Sequence, residues 1–175
     1  MIRYIAFLRA MNVGGRVLKM EELKKIFVMP GFKNISTYIQ SGNVIFDCAE
    51  EDTSLLAKKI EAKLFKSLSY EVKVFIKTIP DIAGIVKKNP FKDHPEDMNL
   101  HVSFLSAKPD KEKVELILPL QNENEQFKVI NTEIYLLVKK GGYGNSTFSN
   151  NFFEKKLKVQ ATTRNWATVN KMLEY

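Results

Sequence analysis

The chain has 175 residues and a mass of 20.1 kDa, with 45% hydrophobic and 27% charged side chains. A chain of this size buries roughly two-thirds of the surface its unfolded form exposes, which excludes a mini-protein that needs staples, and its composition excludes a disordered segment. The net charge is +7 at pH 7, carried by 27 basic residues of which only Arg3, Arg9, Arg16 and Arg164 are arginine. The lysines are dispersed, many of them on predicted helix surfaces (Lys58, Lys59, Lys63, Lys66, Lys155, Lys156). That pattern reads as a solvated surface, whereas nucleic-acid binders concentrate charge on one face. No apolar run approaches the roughly 20 residues of a membrane span. Tyr4 to Leu8 is too short for the core of a signal peptide. The lone cysteine, Cys48, excludes an intramolecular disulfide. The expectation is a cytoplasmic protein with no membrane contact.

In chain order, residues 2–9 alternate and are rich in β-formers, which predicts a strand. Asn12-Val13-Gly14-Gly15 reads as a loop. Met20, Leu23, Ile26 and Phe27 fall at helical spacing and predict a helix over about 20–29. Glu21 and Glu22 at its start and Lys24 and Lys25 later suit the helix dipole, and Pro30-Gly31 ends it. Ile35 to Ile39 and Val44 to Phe46 are β-rich runs around Gln40-Ser41-Gly42-Asn43, a hairpin signal. Leu56, Ile60 and Leu64 mark one face of a second helix, about 52–67, and Val72 to Ile76 predicts a further strand. The order βαββαβ points to an α/β plait, an antiparallel sheet with two helices on one face.

Residues 78–89 predict a short connecting helix, and Asn89 to Asp97 a polar loop with two prolines. The order then returns. His101 to Leu105 is a strand, Asp110 to Leu118 a helix, Phe127 to Ile130 and Ile134 to Val138 strands around Asn131-Thr132, and Phe148 to Leu157 a helix. Tyr4 and His101 stand at the same spacing as Asp52 and Ser149, and Ile35 and Lys128 at nearly that spacing, which points to two related subdomains. At its end the second half departs from the repeat, because Thr162-Thr163 reads as the cap of a final helix over about 164–173. The expectation is an α+β chain of two tandem ferredoxin-like plait subdomains with antiparallel sheets. They occupy 1–77 and 99–175, are joined by a helix and loop over 78–98, and the second ends in an extra helix.

Several kinds of site are absent from the sequence. It has no GxxxxGK[ST], no GxGxxG and no GxSxG. Two histidines and one cysteine, far apart, argue against a zinc site, and no metal or cofactor is expected. Acidic residues are many, but no pair stands out, so whether the chain is an enzyme stays open. The βαββαβ order is shared with RNA-recognition modules, which stack bases on central-strand aromatics. Ser41 to Phe46 offers one glycine and one aromatic, which argues against that surface.

Three segments are unusual. Leu8 to Arg16 follows a strand and carries paired glycines that allow close backbone approach, so Arg9 and backbone N–H groups there suit a phosphate. It reads equally as a loop that needs positive φ, and Glu21 and Glu22 oppose an anion. Thr37 to Asn43 is a turn in which Gln40, Ser41 and Asn43 offer hydrogen bonds. Ala161 to Val169 places Arg164 and Asn165 in the first turn of the predicted last helix. A cation there opposes the dipole and calls for a carboxylate or an anion. Trp166 reads as packing. His94 reads as solvated and His101 as structural. Gly141-Gly142-Tyr143-Gly144-Asn145-Ser146 reads as a connection, with a lid or phosphate loop as its functional reading. Cys48 has no basic neighbour in sequence and is not read as a nucleophile.

These segments resemble the family catalogued as domain of unknown function 1697. The family's opening strand ends in Leu-Arg-Gly-hydrophobic-Asn-Val-Gly-Gly before a Met-initiated helix. Leu8-Arg9-Ala10-Met11-Asn12-Val13-Gly14-Gly15 and Met20 match it, with Ala10 in place of glycine. Thr37 to Phe46, Asn89-Pro90-Phe91, His101-Val102 with Phe104-Leu105, and Thr162-Thr163-Arg164-Asn165-Trp166 with Thr168 match as well. The resemblance covers nearly the full chain and implies tandem plait-type subdomains. It transfers candidate positions and no reaction.

The functional expectation is a binding protein for an anionic, phosphate-bearing small molecule. Arg9, Arg16 and Arg164 would meet the anion and Asn12, Ser41, Asn43 and Asn165 would support it, on the premise that the three segments converge. The rivals are an enzyme acting on a small phosphorylated or acidic substrate, a nucleic-acid binder, which is not favoured, and a protein-interaction module. Oligomeric state is not readable.

Overall fold

Residues 1–9 and 17–175 are described here from a computed structural model. The chain divides into two compact units, Met1–Ile82 together with Tyr175, and Ala83–Glu174.

In the first unit the elements are β1 (Ile2–Arg9), α1 (Met20–Ile26), β2 (Lys33–Tyr38), β3 (Asn43–Cys48), α2 (Thr53–Leu68) and β4 (Lys73–Thr78). The sheet is antiparallel with strand order β2-β3-β1-β4. Side chains alternate across it. Tyr4, Ala6 and Leu8 of β1 and Val44, Phe46 and Cys48 of β3 share one core with Leu56, Ile60 and Leu64, the predicted stripe of α2. Phe46 sits at its centre, stacked on Phe32 at 4.5 Å and tilted against Tyr4 and Phe27 at 5.8 Å each. Asp52 starts α2 by accepting hydrogen bonds from the Ser54 and Leu55 N–H groups. Ser69, at φ 62°, ends it.

A connecting helix, α3 (Ile79–Lys87), follows. Thr78 and Asp81 open it by exchanging side-chain-to-backbone hydrogen bonds, in the manner of a capping box. The second unit then runs β5 (Met98–Leu105), α4 (Lys111–Ile117), β6 (Glu125–Ile130), β7 (Glu133–Lys139), α5 (Asn150–Leu157), β8 (Ala161–Asn165) and α6 (Trp166–Lys171). Its sheet order, β6-β7-β5-β8, repeats that of the first sheet position for position. Leu105, Phe127, Ile134, Leu136, Val138, Phe148, Phe153, Leu157 and Ala161 form the helix-side core. Ser149 caps α5 as Asp52 caps α2, so the repeat spacing read from the sequence marks equivalent caps.

One expectation is overturned. Thr162-Thr163 does not cap a helix over 164–173. Residues 161–165 form β8, which pairs antiparallel with β5 from His101↔Asn165 to Leu105↔Ala161. The second half therefore completes the βαββαβ order before its extra helix, which starts at Trp166 and is capped by Asn165. Arg164 and Asn165 lie before the helix, so the helix-dipole argument for an anion at Arg164 falls away.

Candidate functional site

In the first unit the described end of the first segment, Leu8 and Arg9, lies beside the Thr37–Asn43 turn. Arg9 is the last residue of β1, and the preceding Leu8 N–H donates to Gly42 O at 2.9 Å. The strand end and the β2–β3 turn thus share one end of the sheet. The turn is built on left-handed positions at Ile39 (φ 48°) and Gly42 (φ 77°). Asn43, fully buried, holds it from within: its Nδ2 donates to Tyr38 O and to Ser41 Oγ, both at 2.9 Å. Because Ser41 Oγ accepts there, its own proton is left to donate elsewhere. Asn12 and Arg16, with the glycine pair Gly14-Gly15, lie outside the described residues.

Arg3 belongs to a different arrangement. It forks onto Asp47, Nε to Oδ1 at 2.7 Å and Nη2 to Oδ2 at 2.9 Å, and Asn34 donates to Asp47 Oδ2 at 2.6 Å. Those donors hold the Asp47 carboxyl down at about 2, the Arg3 bond contributing most. Arg3 is a structural cation.

In the second unit Arg164 is 6% exposed. Its Nη1 donates to Thr162 Oγ1 and to Thr163 O, both at 2.9 Å. Burial pushes its pKa down to about 10, and the Tyr143 phenol acts in the opposite direction. Asn165 is exposed, and its Oδ1 accepts from Thr168 N–H at 2.7 Å to start α6.

The sequence reading missed a polar row on the helix side of this second sheet. Ser103 Oγ and Thr163 Oγ1 lie 2.6 Å apart, and Thr163 Oγ1 donates to Asn150 Oδ1 of α5 at 2.7 Å. Two residues before Ser103, on the same face, His101 is 8% exposed and stacks on Tyr143 with ring centroids 4.3 Å apart and planes 14° from parallel. Its Nδ1 is buried without a hydrogen-bond partner. Burial holds the His101 pKa below the ordinary histidine value, and a hydrogen bond to the Asn99 backbone acts in the opposite direction. The available signal was the repeat spacing, which sets His101 at the position of Tyr4, a core residue.

The Asn89-Pro90-Phe91 motif shapes a loop. Asn89 Oδ1 accepts from Phe91 N–H and His94 Nδ1 bonds Phe91 O, each at 2.9 Å, so His94 is tied to the loop and not simply solvated. Lys128 Nζ lies 5.2 Å from the Phe91 ring centre, and the loop borders a groove of about 480 Å³ floored by Gln126 and Leu137. Among the described residues no three metal-ligating side chains cluster, and no helix is long and apolar enough to cross a membrane.

Two plaits of like strand order, one presenting an arginine beside a tight turn and the other a buried arginine on a polar strand, define the class of this chain as a tandem α+β plait protein. A family model described as a protein of unknown function (DUF1697) matches residues 1–135, and the chain belongs to that family. The structure is similar to that of the conserved bacterial protein SP0830 from Streptococcus pneumoniae. The TM-score is 0.77 and the identity 19%, over 100% of this chain and 99% of that one. At that identity the likeness speaks for the fold. Among curated proteins none matches the chain.

Proposed function

We propose that this chain is a binding protein for a phosphate-bearing small molecule, received where β1 ends beside the β2–β3 turn. The observation that supports this most is the Leu8–Gly42 hydrogen bond, which holds Arg9 beside a turn whose shape Asn43 fixes and whose Ser41 hydroxyl has a proton to give. A guanidinium, a hydroxyl and a glycine-bearing loop are the donors an oxyanion needs. In this reading Arg9 carries the charge-assisted bond; Asn12, Arg16 and Gly14-Gly15 lie outside the described residues and keep only the supporting role that their residue types suggest. Arg164 lies in the second unit, where it is held on Thr162 and Thr163, and is not counted in this site. A small ligand is favoured over nucleic acid because the central-strand aromatics Phe7 and Phe46 are fully buried and offer no stacking surface.

The test is a titration with pyrophosphate, mononucleotides and single- and double-stranded oligonucleotides at two salt concentrations, followed by calorimetry and by emission of Trp166. The expected result is saturation by a small phosphate. Arg9→Ala should weaken it about tenfold or more, the loss of one charge-assisted hydrogen bond. Steeply salt-dependent binding of oligonucleotides alone, or small-phosphate binding indifferent to Arg9, would overturn the proposal.

A further inference from the structure

The loop after β7 is built as a short lid over His101. Both of its ends are pinned. Lys140 N–H donates to Asp97 O at 2.7 Å, and Thr147 N–H donates to Glu125 Oε1 at 3.0 Å. Between the pins, hydrogen bonds from Gly142 N–H to Lys139 O, Asn145 N–H to Gly142 O and Ser146 N–H to Tyr143 O fold residues 141–146 into successive turns. Gly141 sits at φ +77° with open space where a Cβ would stand, so it can act as a pivot. A Cβ on Gly142 would lie 2.9 Å from Lys139 O, so the folded lid requires glycine there. The tip of the lid is Tyr143, and its ring lies flat on the His101 imidazole.

The latch has one unsatisfied atom, the buried Nδ1 of His101. A neutral imidazole tolerates this, because an unprotonated nitrogen forgoes only an acceptor interaction. A protonated ring must donate from both nitrogens; the Asn99 backbone favours that form, but the burial of the charged ring is the larger cost. We infer that the Tyr143–His101 stack is a pH-sensitive latch: the 141–146 lid closes over neutral His101 and opens when the ring takes a second proton.

The surroundings agree. On the sheet, His101 is flanked by Leu136 of β7 and Asn165 of β8, neither of which can carry charge. The lid offers the Tyr143 phenol, with Lys139 and Lys140 at its base. Arg164 leaves the sheet on the opposite face, with Val102, yet its guanidinium still feels the Tyr143 phenol at the lid's tip. Glu125 of β6 is engaged at the lid's far pin and Glu154 of α5 at Ala161 N–H. Of these groups the carboxylates are committed elsewhere and the cations oppose a further positive charge. The sign follows from linkage. The closed state holds the histidine below its ordinary pKa near 6.5, so closure is fully favoured above that pH. It is lost as pH falls below it, the opening equilibrium growing by up to about tenfold per pH unit for one proton.

The experiment measures amide hydrogen-exchange protection of residues 142–145 in the full chain from pH 7.5 to 5.5, corrected for intrinsic exchange, with β5 and β7 amides as the internal reference. The expected result is a fall in lid protection below about pH 6.5 while the strand amides hold. The fall should be absent in His101→Phe, which keeps an aromatic partner without a titrating group, and present in Tyr143→Phe, which keeps the stack. A pH-independent lid, a lid and core that lose protection together, or a His101→Phe variant that tracks the parent would each overturn the inference. Should His101→Phe fail to fold, the imidazole titration read by NMR in His94→Gln must share its midpoint with lid opening, and a mismatch overturns the inference equally.

Discussion

The two units place different chemistry in equivalent slots of one topology. Tyr4 of β1 faces Phe46 on one side and Thr78 on the other, and His101 of β5 faces Leu136 and Asn165. Tyr4 sends its hydroxyl out to Glu50 O at 2.7 Å, whereas His101 keeps a buried nitrogen without a partner. Two residues further on, Ala6 faces Val44 and Ile76, and Ser103 faces Ile134 and Thr163. The first unit shows that the plait closes with an apolar row on its helix side. The polar row of the second unit is therefore not demanded by the fold, and a buried polar group that the fold does not need is a candidate for function.

The largest effect that sharpens this contrast lies in the apolar unit. Phe46→Ala removes the ring at the centre of the Tyr4, Phe27 and Phe32 cluster and should cost about 3–5 kcal/mol in urea denaturation. A cost below about 1 kcal/mol would show that this cluster does not carry the first core. In the polar unit, Thr163→Val strips Ser103 and Asn150 of their shared partner and should cost about 1–3 kcal/mol. Ser103→Ala combined with Thr163→Val should cost less than the sum of the single changes, because removing Ser103 as well takes away the hydroxyl that Thr163→Val alone leaves unmet. Additive losses in the double-mutant cycle would contradict the shared row. The caps should behave alike across the two units, Asp52→Ala and Ser149→Ala each losing about 1 kcal/mol.

The smallest effect is electrostatic. Asp47 is held at about 2 by Arg3 and Asn34, so its contribution is present above the ordinary carboxylate value and is lost as pH falls from about 4 towards 2. Arg3 is 38% exposed, and solvent screening keeps the pair to on the order of 0.5 kcal/mol. Asp47→Asn should flatten the acid limb of the stability curve by that amount and leave stability near pH 7 lower by the same margin.

Much of the fold was legible because periodicity matched burial. Leu56, Ile60 and Leu64 are the buried residues of α2, and the spacing of Asp52 and Ser149 exposed the repeat through its caps. β8 was hidden by local chemistry. Ala161-Thr162-Thr163-Arg164-Asn165 is short and polar, two threonines before a helix resemble a cap, and only pairing with β5, some sixty residues earlier, makes it a strand. The candidate site was half legible. Arg9 and the Ser41–Asn43 turn carry signals on their own, turn formers beside a strand end. The His101–Tyr143 stack joins residues that no local pattern connects, and the orphaned nitrogen exists only in the folded chain.

The measurement that bears most directly on the binding role is residue-resolved NMR titration of the chain with pyrophosphate, in parent and Arg9→Ala. Saturating amide shifts at Arg9 and residues 40–43 that vanish in the variant are expected. Shifts at those residues that persist unchanged in the variant, or no saturable shift there at all, would contradict it.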